Sequence, residues 1–342
     1  MNDPIDIKTK KVFEYGEDFG FIKDHILEVM QKDIVSHMDL WAKFQSQWCN
    51  KAYKTFRDYD KYLVLIFLFN KVWQSLHDKF TYQSLDEFYA RNEFYIEKIN
   101  LIEISQALEV PKETIRRKIN EFQNENILIR KGKSIIINKK AIDYQKPVDA
   151  INTISVFSAK KFRPFEGQEW YGEKLDKEKI EDFFQKYFTI CWNRFFKLQI
   201  PFLIRWKRIM GDLETWTVWG NIGINSQFNL KRQRQNIDSF LKKEKIDYPN
   251  YFNYLVKKTS GSGINASSIS DISTIPRATV IRKLNWLTKN GLVQKNKRLE
   301  YSLKGKGKIF KKVNQNFLIN QNSIAEFLTD ILDLIKNSKF KI

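Results

Sequence analysis

Residues 99–128 of this chain recur as residues 264–293, 165 positions further along. Nine positions are identical between the two copies, and most of the other apolar positions keep their apolar character. In the first copy the identical residues are Ile99, Asn100, Ile104, Ser105, Pro111, Thr114, Arg117, Lys118 and Asn120. An internal repeat predicts that one structural unit is used twice.

Each copy contains the start signals of two short helices. Asn100 and Asn265 precede the first apolar-periodic stretch, and asparagine is a favoured N-cap. Pro111 and Pro276 follow a break in the pattern, and proline is tolerated in the first turn of a helix, where its missing N–H costs nothing. Two short helices joined by a tight turn form a helix-turn-helix.

The second helix of each copy, over residues 112–123 and 277–288, has two distinct faces when placed at about 100° per residue. Its apolar face carries Ile115, Ile119 and Phe122 in the first copy and Val280, Leu284 and Leu287 in the second. The opposite face carries Glu113, Arg116, Arg117 and Asn120 in the first copy and Ala278, Ile281, Arg282 and Asn285 in the second. Arginine and asparagine make bidentate contacts with guanine and adenine edges, so these segments are predicted to be recognition helices.

A short hairpin is predicted after each recognition helix. Apolar strands flank Lys131-Gly132-Lys133 in the first copy and Asn296-Lys297-Arg298 in the second. Apolar runs around a Gly or Asn turn are typical of a β-hairpin. A basic hairpin tip would contact DNA as the wing of a winged helix.

Both copies resemble the winged helix-turn-helix modules of bacterial transcription regulators, through the shared pattern Ile-Asn-x3-Ile-Ser…Pro-x2-Thr-[Ile/Val]-x-Arg-Lys-[Ile/Leu]. The second copy continues through residues 301–307 into a long helical pattern over 310–335, which is similar to MarR-type regulators. The resemblance implies that terminal helices form a dimer interface. Two copies in one chain depart from the usual MarR arrangement, so either a homodimer or an intrachain pseudo-dimer is expected.

The predicted fold is mainly α with small β-hairpin wings: two winged-helix domains, each joined to helical segments, related by a pseudo-two-fold internal duplication. Residues 180–219 resemble an earlier helical stretch when Asn193 is aligned with Asn50, which suggests duplication of the whole unit. The expected organisation is a helical segment over 18–98, winged helix 1 over 99–140, a linker over 141–179, a second helical segment over 180–258, winged helix 2 over 259–304 and a C-terminal helix over 305–342.

The predicted DNA contacts fall into three groups. Base contacts are expected from Arg117, Asn120, Arg282 and Asn285, with Glu113, Arg116 and Ile281 making the two half-sites differ. Phosphate contacts from the recognition helices are expected from Lys112, Thr114, Lys118, Arg277, Thr279 and Lys283. Phosphate contacts from the wings are expected from Arg130, Lys131, Lys133, Lys295, Lys297 and Arg298.

Composition fits a polyanionic partner. The chain has 59 Lys+Arg against 40 Asp+Glu, a formal net charge of +19, although AT-rich coding would also raise the lysine content. Two cysteines provide no disulfide framework, and a cytoplasmic, nucleoid-associated protein is expected. The most apolar run, Tyr62–Phe69, is far shorter than the roughly 20 residues that span a bilayer, so no membrane partner is expected.

No catalytic constellation, metal site or cofactor motif is found in the sequence. Gly132-Lys133-Ser134 matches the end of a phosphate-binding loop, but position 127 is Ile where the first Gly is required. The tryptophans of the helical segments either pack in cores or line the pocket of a small-molecule effector. They are Trp41, Trp48, Trp192, Trp206, Trp216 and Trp219.

These patterns predict a sequence-specific regulator of transcription that binds double-stranded DNA and is not an enzyme. Two alternatives stay open. A plasmid or phage replication initiator can also carry tandem winged helices, and a protein-interaction scaffold can use winged helices without nucleic acid.

Overall fold

The computed structural model describes residues 19–79, 81–132, 134–141, 146–172, 174–232, 248–259 and 261–336. Within them the chain is mainly helical, with two small antiparallel sheets. We divide it into a first unit, from α1 to α7, and a second unit, from α8 to α14.

The first unit begins with four helices and a strand. Two short helices and two further strands follow, and the three strands form one sheet; a last helix ends the unit. Its elements are α1 (Phe19–Lys32), α2 (Ile34–Phe56), α3 (Tyr59–Asp78), α4 (Leu85–Ala90), β1 (Glu93–Ile96), α5 (Leu101–Leu108), α6 (Lys112–Asn124), β2 (Leu128–Lys131), β3 (Ser134–Asn138) and α7 (Val148–Phe162).

The second unit has the same order of helices and strands. Its elements are α8 (Lys177–Lys186), α9 (Phe188–Met210), α10 (Leu213–Arg232), α11 (Tyr248–Thr259), β4 (Ile264–Asn265), α12 (Ala266–Ser273), α13 (Arg277–Lys289), β5 (Val293–Lys295), β6 (Glu300–Leu303) and α14 (Lys308–Lys336). α2 and α9 both have 23 residues, and α3 and α10 both have 20.

The ends of these long helices correct one detail of the sequence alignment. α9 begins and ends 154 positions after α2, and α10 begins and ends 154 positions after α3. The alignment of Asn50 with Asn193 assumed an offset of 143, which sets all of α8 and the first half of α9 against α2. The two offsets differ by about three helical turns, and both place apolar residues on matching faces.

Each sheet has three strands rather than the two of the predicted hairpin. β3 lies between β1 and β2, and β6 lies between β4 and β5, all antiparallel. The added strand precedes the helix-turn-helix in both cases, and β1 lies before residue 99, where the first winged helix was expected to start. β1 and β4 span only 4 and 2 residues, too few for a clear alternating pattern.

The segment 141–179, which we expected to be a linker, is largely helical. α7 buries Ile151, Ile154 and Phe157 and packs against α2 and α8. In the second unit α14 packs against α9 and α1. The prolines at Pro147 and Pro164 interrupt the pattern only at the two ends of α7, so they mark its bounds rather than an unstructured connection.

The core runs through both units along α2, α3, α9 and α10, and its largest fully buried side chains include Trp73, Trp192 and Trp206. α3 packs against α9, and α2 packs against α10, so the long helices of the two units share one core. Among the described residues, no helix combines the length and the hydropathy needed to cross a membrane.

Candidate nucleic-acid interface

The first helix-turn-helix is formed by α5 and α6 and is held by local polar contacts. The Asn100 side chain accepts the N–H of Ile102 at 3.0 Å and so caps α5, as predicted. Glu109 ends α5 in the left-handed region, with φ 51°. The Ser105 hydroxyl donates to the carbonyl of Val110 at 2.7 Å, across the turn that leads to α6.

The second helix-turn-helix, α12 and α13, repeats these contacts. The Asn265 side chain accepts the N–H of Ser268 at 2.8 Å. Thr274 ends α12 with φ 58°, and the Ser270 hydroxyl donates to the carbonyl of Ile275 at 2.7 Å. The repeated Asn and Ser therefore have the same role in both turns: each satisfies backbone groups that the helix ends leave open.

α6 and α13 present the predicted faces. Their apolar residues are buried, and each helix begins directly after its proline, Pro111 or Pro276. The predicted contact residues that are exposed to solvent are Lys112, Glu113, Arg116, Arg117 and Asn120 on α6 and Arg277, Arg282 and Asn285 on α13. Thr114 and Thr279, near the helix starts, are partly exposed.

The exposed arginines of α6 have acidic neighbours on their own helix. Arg116 pairs with Glu113 at 2.7 Å, and the Arg117 Nε lies 3.8 Å from a carboxylate oxygen of Glu121. Exposed ion pairs of this kind contribute roughly 0–1 kcal/mol. Both arginines can therefore exchange their carboxylate for a base edge or a phosphate at small cost.

On α13 the Arg282 side chain is exposed and has no hydrogen-bond or ion-pair partner among the described residues. Arg277 donates from Nε to the Ser267 hydroxyl at 3.1 Å. Ile281 is only partly exposed, because it packs against the hydrophobic core. An apolar side chain in the major groove suits the methyl group of thymine. The packing of Ile281 reduces the surface that it offers for such a contact.

Lys118 and Lys283 are placed differently from the expectation. Lys118 is buried, with its ammonium 2.6 Å from an Asp58 oxygen and 2.9 Å from Glu121. Lys283 forms the equivalent ion pair with Asp212. Both ammonium groups point into the protein's own body, so a phosphate contact does not fit them. Lys118 instead connects α6 to the start of α3, and Lys283 connects α13 to the start of α10.

The two aspartates also cap those helices. Asp58 accepts the N–H of Lys61 at 3.0 Å, and Asp212 accepts the N–H of Thr215 at 2.7 Å. Burial alone would raise the pKa of Asp58, but hydrogen bonds from Lys118 and from the Lys61 N–H outweigh it, so that pKa lies below its ordinary value. The pKa of Asp212 is likewise lowered, since the hydrogen bonds from Lys283 and Thr215 outweigh burial.

Both wings expose basic side chains. Arg130 and Lys131 are exposed on the first wing, and Arg130 donates to the carbonyl of Gly132 at 3.2 Å. Lys133 lies outside the described residues. On the second wing Lys295, Lys297 and Arg298 are exposed. There the Asn296 side chain accepts the N–H groups of Arg298 and Glu300, each at 2.9 Å, which fixes the shape of the tip.

Sequence inspection missed the role of Asp58 and Asp212. The available signal was an acidic residue directly before an apolar helix, which is a common N-cap. That signal predicts the cap but not the partner, since Lys118 and Lys283 lie more than 50 residues further along the chain.

One part of this surface matches a known protein family. Residues 96–140, which contain α5, α6, the first wing and the last residue of β1, match the DeoR-like helix-turn-helix domain. This match supports DNA binding by that part of the chain. The match covers less than half of the chain, and the predicted MarR-like character of the second unit stays a prediction. No curated protein and no solved structure matches the chain.

Proposed function

We propose that this protein is a sequence-specific, double-stranded DNA-binding regulator of transcription that uses two recognition helices, α6 and α13. One observation carries the proposal: each helix presents an arginine and an asparagine to solvent at equivalent positions. The pairs are Arg117 with Asn120 and Arg282 with Asn285. The DeoR-like helix-turn-helix match over the first helix supports the same function.

We further propose that the chain is a covalent pseudo-dimer built by duplication of one unit. Gln45 of α2 and Gln199 of α9 occupy equivalent positions, 154 residues apart, and their buried amides donate to each other at 2.9 Å in both directions. A residue that contacts its own equivalent lies on a two-fold axis. The contact between Gln45 and Gln199 is therefore the one expected on a pseudo-two-fold axis between the two units.

Reciprocal contacts around that pair support the same axis. Trp41 of α2 contacts Phe202 of α9 with ring centroids 6.1 Å apart. The equivalent residues, Phe195 of α9 and Trp48 of α2, contact each other at 5.3 Å. An interface in which residue i contacts j′ and j contacts i′ is isologous.

The helical body of each unit also contacts the helix-turn-helix of the other. Arg57, at the end of α2, donates to the carbonyl of Thr274 in the second turn at 2.9 Å. Arg208, near the end of α9, donates from Nε to Glu109 in the first turn at 3.0 Å. These contacts favour a fixed relation between α6 and α13. Two recognition helices that read successive major-groove faces are about 34 Å apart, one turn of DNA.

Arg117 and Arg282 are proposed to read guanine in equivalent half-sites, and Asn120 and Asn285 to read adenine. The half-sites should differ, because Glu113 and Arg116 of α6 are replaced by Ala278 and Ile281 on α13. Phosphate contacts are proposed from Lys112, Thr114, Arg277 and Thr279 and from the exposed wing residues. An imperfect repeat is the expected binding site.

In vitro selection of bound DNA from a random pool tests the proposal. We expect one imperfect repeat with half-sites about one helical turn apart. Arg282→Ala should lower affinity by about 1–3 kcal/mol and relax the preference at one base position. Lys160→Ala, which removes one exposed positive charge from α7, is the matched control and should leave the preference unchanged.

A uniform loss for Arg282→Ala across all sequences would make Arg282 a phosphate contact. Absence of binding to mixed DNA at about 100 µM protein would reject the DNA-binding proposal, because the Kd of nonspecific binding alone is about 10⁻⁴–10⁻⁶ M. Sites confined to iterated copies at one origin would reject transcription control in favour of replication initiation.

A further inference from the structure

A cavity lies between the two units, bounded by α2 of the first and by α9, α10, α11 and α14 of the second. Its volume is about 80 Å³. Since one water needs roughly 10–15 Å³, several waters fit, or a single small ring if the side chains move outward slightly. None of the described residues that line it carries a charge.

The wall is rich in tryptophan. Trp41, Trp206, Trp216 and Trp219 line the cavity, whereas Trp48 and Trp192 of the predicted set do not. The indole N–H groups of Trp41, Trp206 and Trp219 are buried without a hydrogen-bond partner among the described residues. The same holds for the side-chain carbonyl of Gln227 and the amide nitrogen of Asn320, which also line the cavity. Buried polar groups are normally paired, and an occupant that supplies acceptors and a donor would satisfy these atoms.

Two glycines inside α10 keep the space open. A Cβ built on Gly220 or Gly223 would meet nothing within 4 Å, and both residues line the cavity. Glycine within a helix costs about 0.5–1 kcal/mol relative to alanine, and no close backbone approach requires it here. The equivalent positions of α3 are Ile66 and Phe69, both buried in the core. At these two positions the second unit therefore has glycine, where the first unit has large apolar side chains.

We propose that this cavity is a binding site for an uncharged, planar ligand the size of one aromatic ring. Aromatic walls favour stacking with a flat ring. The free indole N–H groups would donate to a ligand carbonyl or ring nitrogen, and the Gln227 carbonyl would accept from a ligand N–H. A charged ligand is disfavoured because the described lining offers no counter-ion.

The cavity adjoins the elements that carry the second recognition helix. α10 lines it and begins after Asp212, the partner of Lys283 on α13. Leu303 of β6 lines it as well and pairs with Val293 in the second wing. Because packed helices move together, an occupant that shifts α10 would also shift α13. This coupling between ligand binding and DNA binding rests on the proposed DNA-binding function.

Binding of 4-fluorobenzamide, a neutral ring with a carbonyl acceptor and an amide donor, tests the site on the protein without DNA. We expect a saturable ¹⁹F NMR shift at one equivalent, with a Kd on the order of 1 mM or tighter. Gly223→Leu should abolish the shift by filling the space, and Gly223→Ala should weaken it at least about threefold. Gly20→Ala, at another helical glycine with open space around it, is the control and should change nothing. The charged analogue 4-fluorobenzoate should bind at least about tenfold more weakly.

No saturable shift with the natural protein up to about 10 mM, together with a higher Tm for Gly223→Ala than for Gly20→Ala, would make the cavity a packing void. An unchanged shift in Gly223→Leu would place the probe elsewhere and overturn the assignment. For the coupling, saturating probe should change affinity for the selected DNA at least about threefold. Equal affinity with and without probe would overturn the coupling, whereas failure of the DNA-binding proposal would appear as no DNA binding in either sample.

Discussion

At the scale of single residues, the two lysines that the repeat preserves, Lys118 and Lys283, connect α6 and α13 to the helical body of the protein through ion pairs. Each is paired with an aspartate that also caps a long helix of the body. Removing one partner of such an ion pair leaves the other charge uncompensated, which destabilises the fold. This cost accounts for a lysine at this position in both copies, while many exposed positions differ.

Asp58→Asn tests the stabilising role of this ion pair. Asparagine keeps the N-cap of α3 but removes the charge that faces Lys118, so we expect a loss of about 1–2 kcal/mol in the free energy of unfolding at pH 7, discounted because Asp58 is about one-third exposed. The pKa of Asp58 is lowered in the folded protein. The contribution of its charge is therefore present above the unfolded pKa of about 3.8 and lost as pH falls through the folded value.

Urea unfolding of both proteins between pH 7 and pH 2.5 measures the effect, and their difference should shrink below about pH 3.8. Asp86→Asn, at an exposed aspartate early in α4, is the matched control. A difference that stays constant over this range would mean that the Asp58 charge does not stabilise the fold.

His37 of α2 makes a separate residue-scale prediction. It is fully buried, and burial together with the charge of Lys161 holds its pKa well below its ordinary value. The folded state therefore keeps His37 neutral, while the unfolded chain takes up a proton below about pH 6.5. Stability that depends on His37 is present above that pH and decreases as pH falls, by up to about 1.4 kcal/mol per pH unit.

His37→Leu should remove this part of the pH dependence. Urea unfolding at pH 7.5 and pH 5.5 should show a smaller loss on acidification in the variant than in the natural protein. The partly exposed His25 of α1 offers the control, and His25→Leu should remove less of the dependence than His37→Leu does. Equal acid sensitivity in His37→Leu and the natural protein would contradict the prediction.

At the scale of elements, we expect the wings and the proposed recognition helices to contribute to DNA binding in different ways. The second wing holds Lys295, Lys297 and Arg298 on a tip that the Asn296 side chain shapes. These positions carry charge but lack the outward arginine and asparagine pairs that are proposed to read bases on α6 and α13. The wing should therefore supply affinity and its salt dependence rather than sequence preference.

Replacing Lys295, Lys297 and Arg298 together by alanine tests the wing. If each contacts one phosphate, the slope of log K against log salt should become shallower by about 2–3, and affinity should fall equally for all sequences. Titrations of the selected DNA and of a scrambled sequence at several salt concentrations measure both effects. A triple variant at Lys32, Lys160 and Lys186, outside both helix-turn-helix segments, controls for net charge. A changed base preference in the wing variant would show that the wing reads sequence.

At the scale of the whole molecule, the interface between the two units contains a polar pair at its centre. Gln45 and Gln199 hydrogen-bond each other within a core that is rich in aromatic side chains. Replacing one glutamine leaves the amide of the other buried without a partner, at a cost of about 1–3 kcal/mol. Replacing both glutamines by apolar residues leaves no buried amide without a partner.

Gln45→Leu and Gln199→Leu should each lower the free energy of unfolding, and the double variant should be less destabilised than the sum of the two. Urea unfolding of the four proteins gives the coupling energy directly. Additive losses would mean that these side chains do not contact each other, which would remove the strongest support for the pseudo-dyad. Thr153→Val, at an exposed hydroxyl of α7 that bonds only within its own helix, controls for loss of a local hydrogen bond.

The sequence alone was sufficient for the local parts of this protein. The asparagine caps, the proline helix starts, the apolar and exposed faces of α6 and the first helix-turn-helix follow from residues within about ten positions of one another, and interactions of that range appear as periodicity and caps. Tertiary structure decided the partners of Lys118 and Lys283, the third strand of each sheet, the helix in the expected linker and the cavity beside Gly220 and Gly223. These features join residues far apart in the chain, where a local pattern records that a side chain is apolar or charged but not which distant group it meets.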